Sequence, residues 1–140
     1  MLRDYWEFIS KLSEEYGKYR RAVMDRFDMP AVEVDVIMFL ANNRQYNTAA
    51  EVVRAKHIPK SHVSLAVKGL IARGYLTGEP MKSGRNKIKL DITDAAAPMI
   101  EFGRAMQREF VESLFAGFSE SERDEYRSYC GRIISNITHR

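Results

Sequence analysis

A chain of 140 residues, 45% hydrophobic and 29% charged, is long enough to bury one core and falls in the ordinary globular range. No run of about 18 apolar residues occurs, and the opening Met1-Leu2-Arg3-Asp4-Tyr5-Trp6 mixes charge with aromatics, which argues against a membrane span or a secretory leader and for a soluble, cytoplasmic protein. The net charge is only +3, and the single cysteine, Cys130, has no internal disulfide partner, which suits a reducing compartment.

Tyr5, Phe8, Ile9, Leu12, Tyr16, Tyr19 and Val23 recur at helical spacing and predict a long first helix with an aromatic stripe on one face. Pro30 suits the first position of a second helix, whose apolar run from Val32 to Leu40 reads as central and buried and stops at Asn42-Asn43. Thr48-Ala49-Ala50-Glu51 has the form of a capping box, the Thr48 hydroxyl taking the Glu51 amide and the Glu51 carboxylate the Thr48 amide, and opens a third helix reaching Lys56. Pro59 disfavours helical geometry at Ile58 and lacks an amide proton, so His57-Ile58-Pro59 forms a tight turn. Ser61 is placed to cap a fourth helix that carries Val63, Ala66, Val67, Leu70 and Ile71 on one face and ends at a left-handed Gly74. Short helix, tight turn and longer helix make a helix-turn-helix.

Two strands follow, from Tyr75 to Met81 and from Lys87 to Ile92, with Ile88, Leu90 and Ile92 on one face and Lys87, Lys89 and Asp91 on the other. Lys82-Ser83-Gly84-Arg85-Asn86 supplies the turn, so the hairpin after the fourth helix is a wing with a basic tip. Thr93 or Asp94 can cap a fifth helix bearing Met99, Phe102, Met106, Phe110 and Leu114, its start delayed by Pro98 and its end set by Gly117. Ser119-Glu120-Ser121-Glu122 is a second capping box, opening a last helix with Tyr126, Tyr129, Cys130, Ile133, Ile134 and Ile137 along one face.

Charge is unevenly spread. Ten lysines and arginines against three acidic residues lie between Asn42 and Ile92, so with a total of +3 the two ends are net negative. A basic middle between acidic ends is the footprint of a polyanion-binding part carried on a part with another task. With one face of the fourth helix buried, Lys60, Ser61, His62, Ser64, Leu65 and Lys68 are left to meet DNA in the major groove, where Leu65 can touch a thymine methyl. Arg85, Asn86 and Lys87 on the wing are placed for phosphates or the adjacent minor groove.

Ser61-His62-Val63-Ser64, then Val67, Leu70 and Arg73-Gly74-Tyr75-Leu76, with Arg85 in the wing and Leu90-Asp91-Ile92-Thr93 after it, give a sequence that resembles the MarR (multiple antibiotic resistance regulator) family over nearly the whole chain. The family often carries arginine where this chain has Leu65, and an aspartate just before the wing arginine where this chain has Ser83-Gly84. The resemblance implies a mainly helical fold with a small β-wing and a DNA-binding repressor that grips a palindromic operator as a homodimer. It also implies a small aromatic effector. Residues 30–94 are then the winged helix-turn-helix, and 1–29 with 95–140 the dimerisation region. Phe8, Leu12, Tyr126, Tyr129, Ile133, Ile134 and Ile137 are its expected contacts, consistent with terminal helices that carry more apolar surface than one small core can cover.

Other chemistries are weaker in the sequence. His57, His62 and His139 have no ligand spacing diagnostic of a metal, and Cys130, on an apolar helix face, reads as a structural thiol. No glycine-rich phosphate loop, nucleophile–base pair or carboxylate cluster suggests an enzyme or a cofactor. The alternative is a winged-helix module whose basic face binds a protein or RNA.

Overall fold

The structure, a computed structural model, describes residues 1–82 and 87–139. Six helices and a hairpin follow in order: α1 Leu2–Phe27, α2 Ala31–Asn42, α3 Ala49–Lys56, α4 Lys60–Ala72, β1 Leu76–Pro80, β2 Ile88–Ile92, α5 Ala97–Leu114 and α6 Glu120–Thr138, with a 3-10 turn at Asp94–Ala96 before α5. No helix is long and apolar enough to cross a membrane among the described residues.

The most apolar stretch of the chain becomes its centre. α2 buries Val34, Val36, Ile37, Met38, Leu40 and Ala41. Val52 of α3, Val63, Val67 and Leu70 of α4, Leu76 and Leu90 of the hairpin, and Met99 and Ile100 of α5 close around it. Each fully buried side chain of this size contributes about 1.5–3 kcal/mol of transfer free energy, so this layer holds α4 against the body of the protein. The C-terminal half of α1 joins the same core through Val23 and packs on α5, where Tyr16 and Tyr19 meet Phe110 and Phe27 meets Phe102. α5 approaches α2 closely at Gly103, where a Cβ would stand 2.5 Å from the Met38 Sδ. Gly103→Ala should therefore cost about 1–3 kcal/mol by overpacking, read as a lower denaturant midpoint at unchanged slope.

β1 and β2 pair antiparallel from Leu76 opposite Ile92 to Pro80 opposite Ile88. Leu90 reaches the core, while Ile88, on the same face of the strand but nearer the tip, lies beyond it and is exposed. The root of the hairpin is held from outside as well: the Leu90 amide donates to the Asn47 carbonyl at 2.7 Å, and Thr48 bridges Lys89.

Several local expectations change. Pro30 is the residue before α2, not its first member. At the start of α3 the Thr48 hydroxyl accepts from the Glu51 amide as expected, and the Glu51 carboxylate also takes the Asn47 amide and the Thr48 hydroxyl. These bonds hold the Glu51 carboxyl below the usual carboxylate range, the Thr48 hydroxyl contributing most. Ser61 caps nothing, because α4 already begins at Lys60 with Pro59 before it, and Ile71 is exposed beside the wing rather than buried. The side chain of Thr93 does not cap the 3-10 turn that it precedes; it donates to the Gly74 carbonyl. α5 ends at Leu114, before the left-handed Gly117. The Ser119–Glu122 capping box forms with both bonds, yet α6 buries no residue at all.

Candidate nucleic-acid interface

The turn between α3 and α4 is built by two devices. His57 takes a left-handed conformation, φ 55°, and its amide closes α3 onto the Val53 carbonyl. Pro59 then presents its own carbonyl to the amides of His62 and Val63, which starts α4 without a side-chain cap. Sequence spacing located this turn; the left-handed histidine it did not, since glycine or asparagine is the usual choice there.

α4 turns Val63, Ala66, Val67 and Leu70 inward. Lys60, Ser61, His62, Ser64, Leu65 and Lys68 are all exposed, Leu65 at 72%, and none of their side chains is engaged by a hydrogen bond or ion pair among the described residues. The helix ends in a Schellman motif, with the Gly74 amide on the Ile71 carbonyl and the Tyr75 amide on the Leu70 carbonyl. Gly74 at φ 78° needs no side chain there and turns the chain straight into β1.

Every described lysine and arginine from Arg44 to Lys89 is exposed. Lys82 and Lys87 flank the hairpin turn, while Lys89 pairs loosely with Asp91 at 3.8 Å. Arg85 and Asn86 lie outside the described residues, and so does the turn they belong to.

Behind α4 stands a pair that the sequence did not announce. Glu33, in the first turn of α2, is only 7% exposed, and its Oε1 accepts from the Arg73 Nε at 2.7 Å. The Arg73 Nη2 donates to the carbonyl of Asp28 at 2.8 Å, in the turn between α1 and α2. Gly69 lies directly on the carboxylate: a Cβ there would stand 2.8 Å from the Glu33 Oε2. A glycine in the middle of a helix, unfavourable by about 1 kcal/mol against alanine, was the only available signal.

A second polar contact joins α1 to α2. The Arg20 Nη1 donates to the Asp35 Oδ2 at 2.9 Å, leaving the Arg20 Nε and the Asp35 Oδ1 buried without partners. Burial raises the Asp35 carboxyl, against the pull of Arg20, and burial with the Asp35 charge raises the Tyr16 hydroxyl. The cavity beside them, among Tyr16, Tyr19, Arg20, Met38 and Gln107, measures only about 10 Å³. That is room for a water and not for an aromatic molecule. The aromatic stripe of α1 is instead consumed by packing on α5 in its C-terminal half.

Its N-terminal half has no such cover. Phe8 is exposed and Leu12 half-buried, and on α6 Tyr126, Tyr129, Ile133, Ile134 and Ile137 all face solvent. Cys130 is half-buried beside Tyr126, whose hydroxyl is raised chiefly by its hydrogen bond with the thiol. Among the described residues no three histidine, cysteine, aspartate or glutamate side chains gather as metal ligands.

Helix, turn, helix and hairpin between long terminal helices define the winged helix fold of MarR-type regulators. A MarR transcriptional regulator from Methanosarcina mazei Go1 shares it with a TM-score of 0.80 over 96% of this chain and 89% of its own, at 15% identity. A putative MarR family regulator from Listeria monocytogenes, complexed with a 26mer DNA, superposes with a TM-score of 0.79 over 98% of this chain and 88% of its own, at 16% identity. The S. aureus MepR–DNA complex does so with a TM-score of 0.74 over 98% of each chain, at 15% identity. No protein-family model matches the sequence, and no curated protein does.

Proposed function

We propose that the chain is a transcription regulator, acting as a repressor, that reads a palindromic duplex operator as a homodimer. Residues 30–94 do the reading, and residues 1–29 with 95–140 hold the two copies together. The observation that carries this is the outer face of α4: six neighbouring side chains able to meet phosphates or base edges, none of them committed elsewhere among the described residues, on a helix that leads straight into a basic hairpin. The MepR and Listeria proteins of this fold were solved as complexes with DNA, which supports DNA binding here. In this arrangement α4 enters the major groove, while Lys87, with Arg85 and Asn86, meets the backbone or the neighbouring minor groove. Two copies related by a two-fold axis set their recognition helices roughly 34 Å apart, one turn of the duplex. A small aromatic effector would not fit the α1–α2–α5 cavity, whereas the cleft beside Phe8 and Leu12, between α1 and the end of α5, has about 450 Å³.

A salt titration of duplex binding tests the proposal. Affinity should fall steeply with salt, and Arg85→Ala combined with Lys87→Ala should flatten the log–log slope by about one unit for each phosphate no longer neutralised. Binding that ignores salt would favour a module that docks a protein through the same face, and a slope that the double variant leaves untouched would remove the wing contact.

A further inference from the structure

The geometry points to a positioning device behind the recognition helix: we propose that Glu33, Gly69 and Arg73 fix the axial register and rotation of α4, and so set how sharply the chain tells one DNA sequence from another. This rests on the DNA-reading function proposed above. The apolar face of α4, made of Val63, Ala66, Val67 and Leu70, anchors the helix firmly but without direction, because hydrophobic burial scales with area and tolerates small slides and turns. Reading base edges does not tolerate them, since a bidentate hydrogen bond or a methyl packed on a base edge fails within a fraction of an ångström.

The directional contacts are all at the back of the same helix. Ser61, Leu65, Gly69 and Arg73 recur every four residues, each about 40° round the helix from the last. The strip therefore begins on the outer, exposed face and winds inward to Gly69 and Arg73. At its inner end the glycine rests on the Glu33 carboxylate and the arginine grips that carboxylate and the Asp28 carbonyl at once. The planar guanidinium fork satisfies both acceptors only at one rotation of α4, and the missing Cβ sets how close α4 lies to α2. Because Asp28 closes the C-terminus of α1, in the left-handed conformation with φ 50°, the same fork also refers the reading helix to the helix assigned above to dimerisation. Sequence discrimination and half-site geometry thus share one anchor.

Glu33 and Arg73 are positioning residues, and their removal should change selectivity more than affinity. The full-length protein is used to enrich a preferred duplex from a random pool, and binding to that duplex and to a scrambled one is then compared for Glu33→Ala and Arg73→Lys. Arg73→Lys keeps the charge and leaves the buried core untouched, so it reports even if Glu33→Ala fails to fold. Both variants should lower the preferred-to-scrambled affinity ratio about tenfold or more while scrambled-duplex binding and its salt slope stay unchanged. Glu33→Gln, which keeps an acceptor facing Arg73, should restore most of the ratio. An unchanged ratio in folded Arg73→Lys overturns the positioning role, as does an equal fall in binding to both duplexes. Failure of the unmodified protein to prefer any duplex would instead overturn the DNA-reading function itself.

Discussion

Ile134→Asp should convert the protein to a monomer that no longer holds its operator. Ile134 is 62% exposed and lies in an apolar row with Ile133 and Ile137 on a helix that buries nothing against its own chain. A row of isoleucines is a costly thing to leave in water, each worth about 1.5–3 kcal/mol when covered, and on the proposed reading a second copy covers it together with the exposed half of α1. In a two-fold interface each substitution acts twice, and a carboxylate forced into an apolar contact adds several kcal/mol of desolvation. The dimer should weaken by at least about three orders of magnitude. Sedimentation velocity at micromolar concentration reads this directly, and a monomer in the unmodified protein would remove the dimer from the account.

Ser64→Glu should be the most damaging change on the DNA side. Ser64 is exposed between His62 and Lys68, and no hydrogen bond engages its side chain among the described residues, so the fold loses nothing when it is replaced. In a groove walled by phosphates, a new carboxylate meets like charge, at a cost of several kcal/mol for each copy. Operator affinity should fall by at least about a hundredfold with the melting temperature unchanged. Mobility-shift titration checks it, and affinity within about threefold of the unmodified protein would mean that α4 does not face DNA.

The order of elements was legible because each depends on local chemistry: the spacing of apolar residues along α1 and α6, proline at 59, glycine at 74, and the Ser119–Glu122 box. The outer face of α4 was legible for the same reason, since burying Val63, Ala66, Val67 and Leu70 leaves little choice about what points away. Ile71 was misjudged because a stripe that drifts round a helix loses its core partner once the helix passes the edge, and there it meets the hairpin near Gly78 and Ile88 instead. Glu33 stayed invisible because its meaning lies in Arg73, forty positions later in the sequence, and no local pattern joins them. An acid inside an apolar run reads as a surface residue until the fold supplies its partner.

The hairpin is gripped through its inner half, by the core at Leu76 and Leu90, by Thr48 at Lys89 and by Ile71 near Gly78. Leu76 and Leu90 are sunk in the core and the Leu90 amide is tied to Asn47, whereas Ile88 and Lys87 are exposed. Its inner half is fixed to the body of the protein, and Lys82 and Lys87 stand exposed at the outer end of the described strands. Attraction between cations and a phosphate chain changes slowly with distance and needs no fixed geometry. On the proposed reading, the lysines at the outer end of the hairpin can hold the phosphate backbone over a range of distances, while α4 is placed by its own contacts.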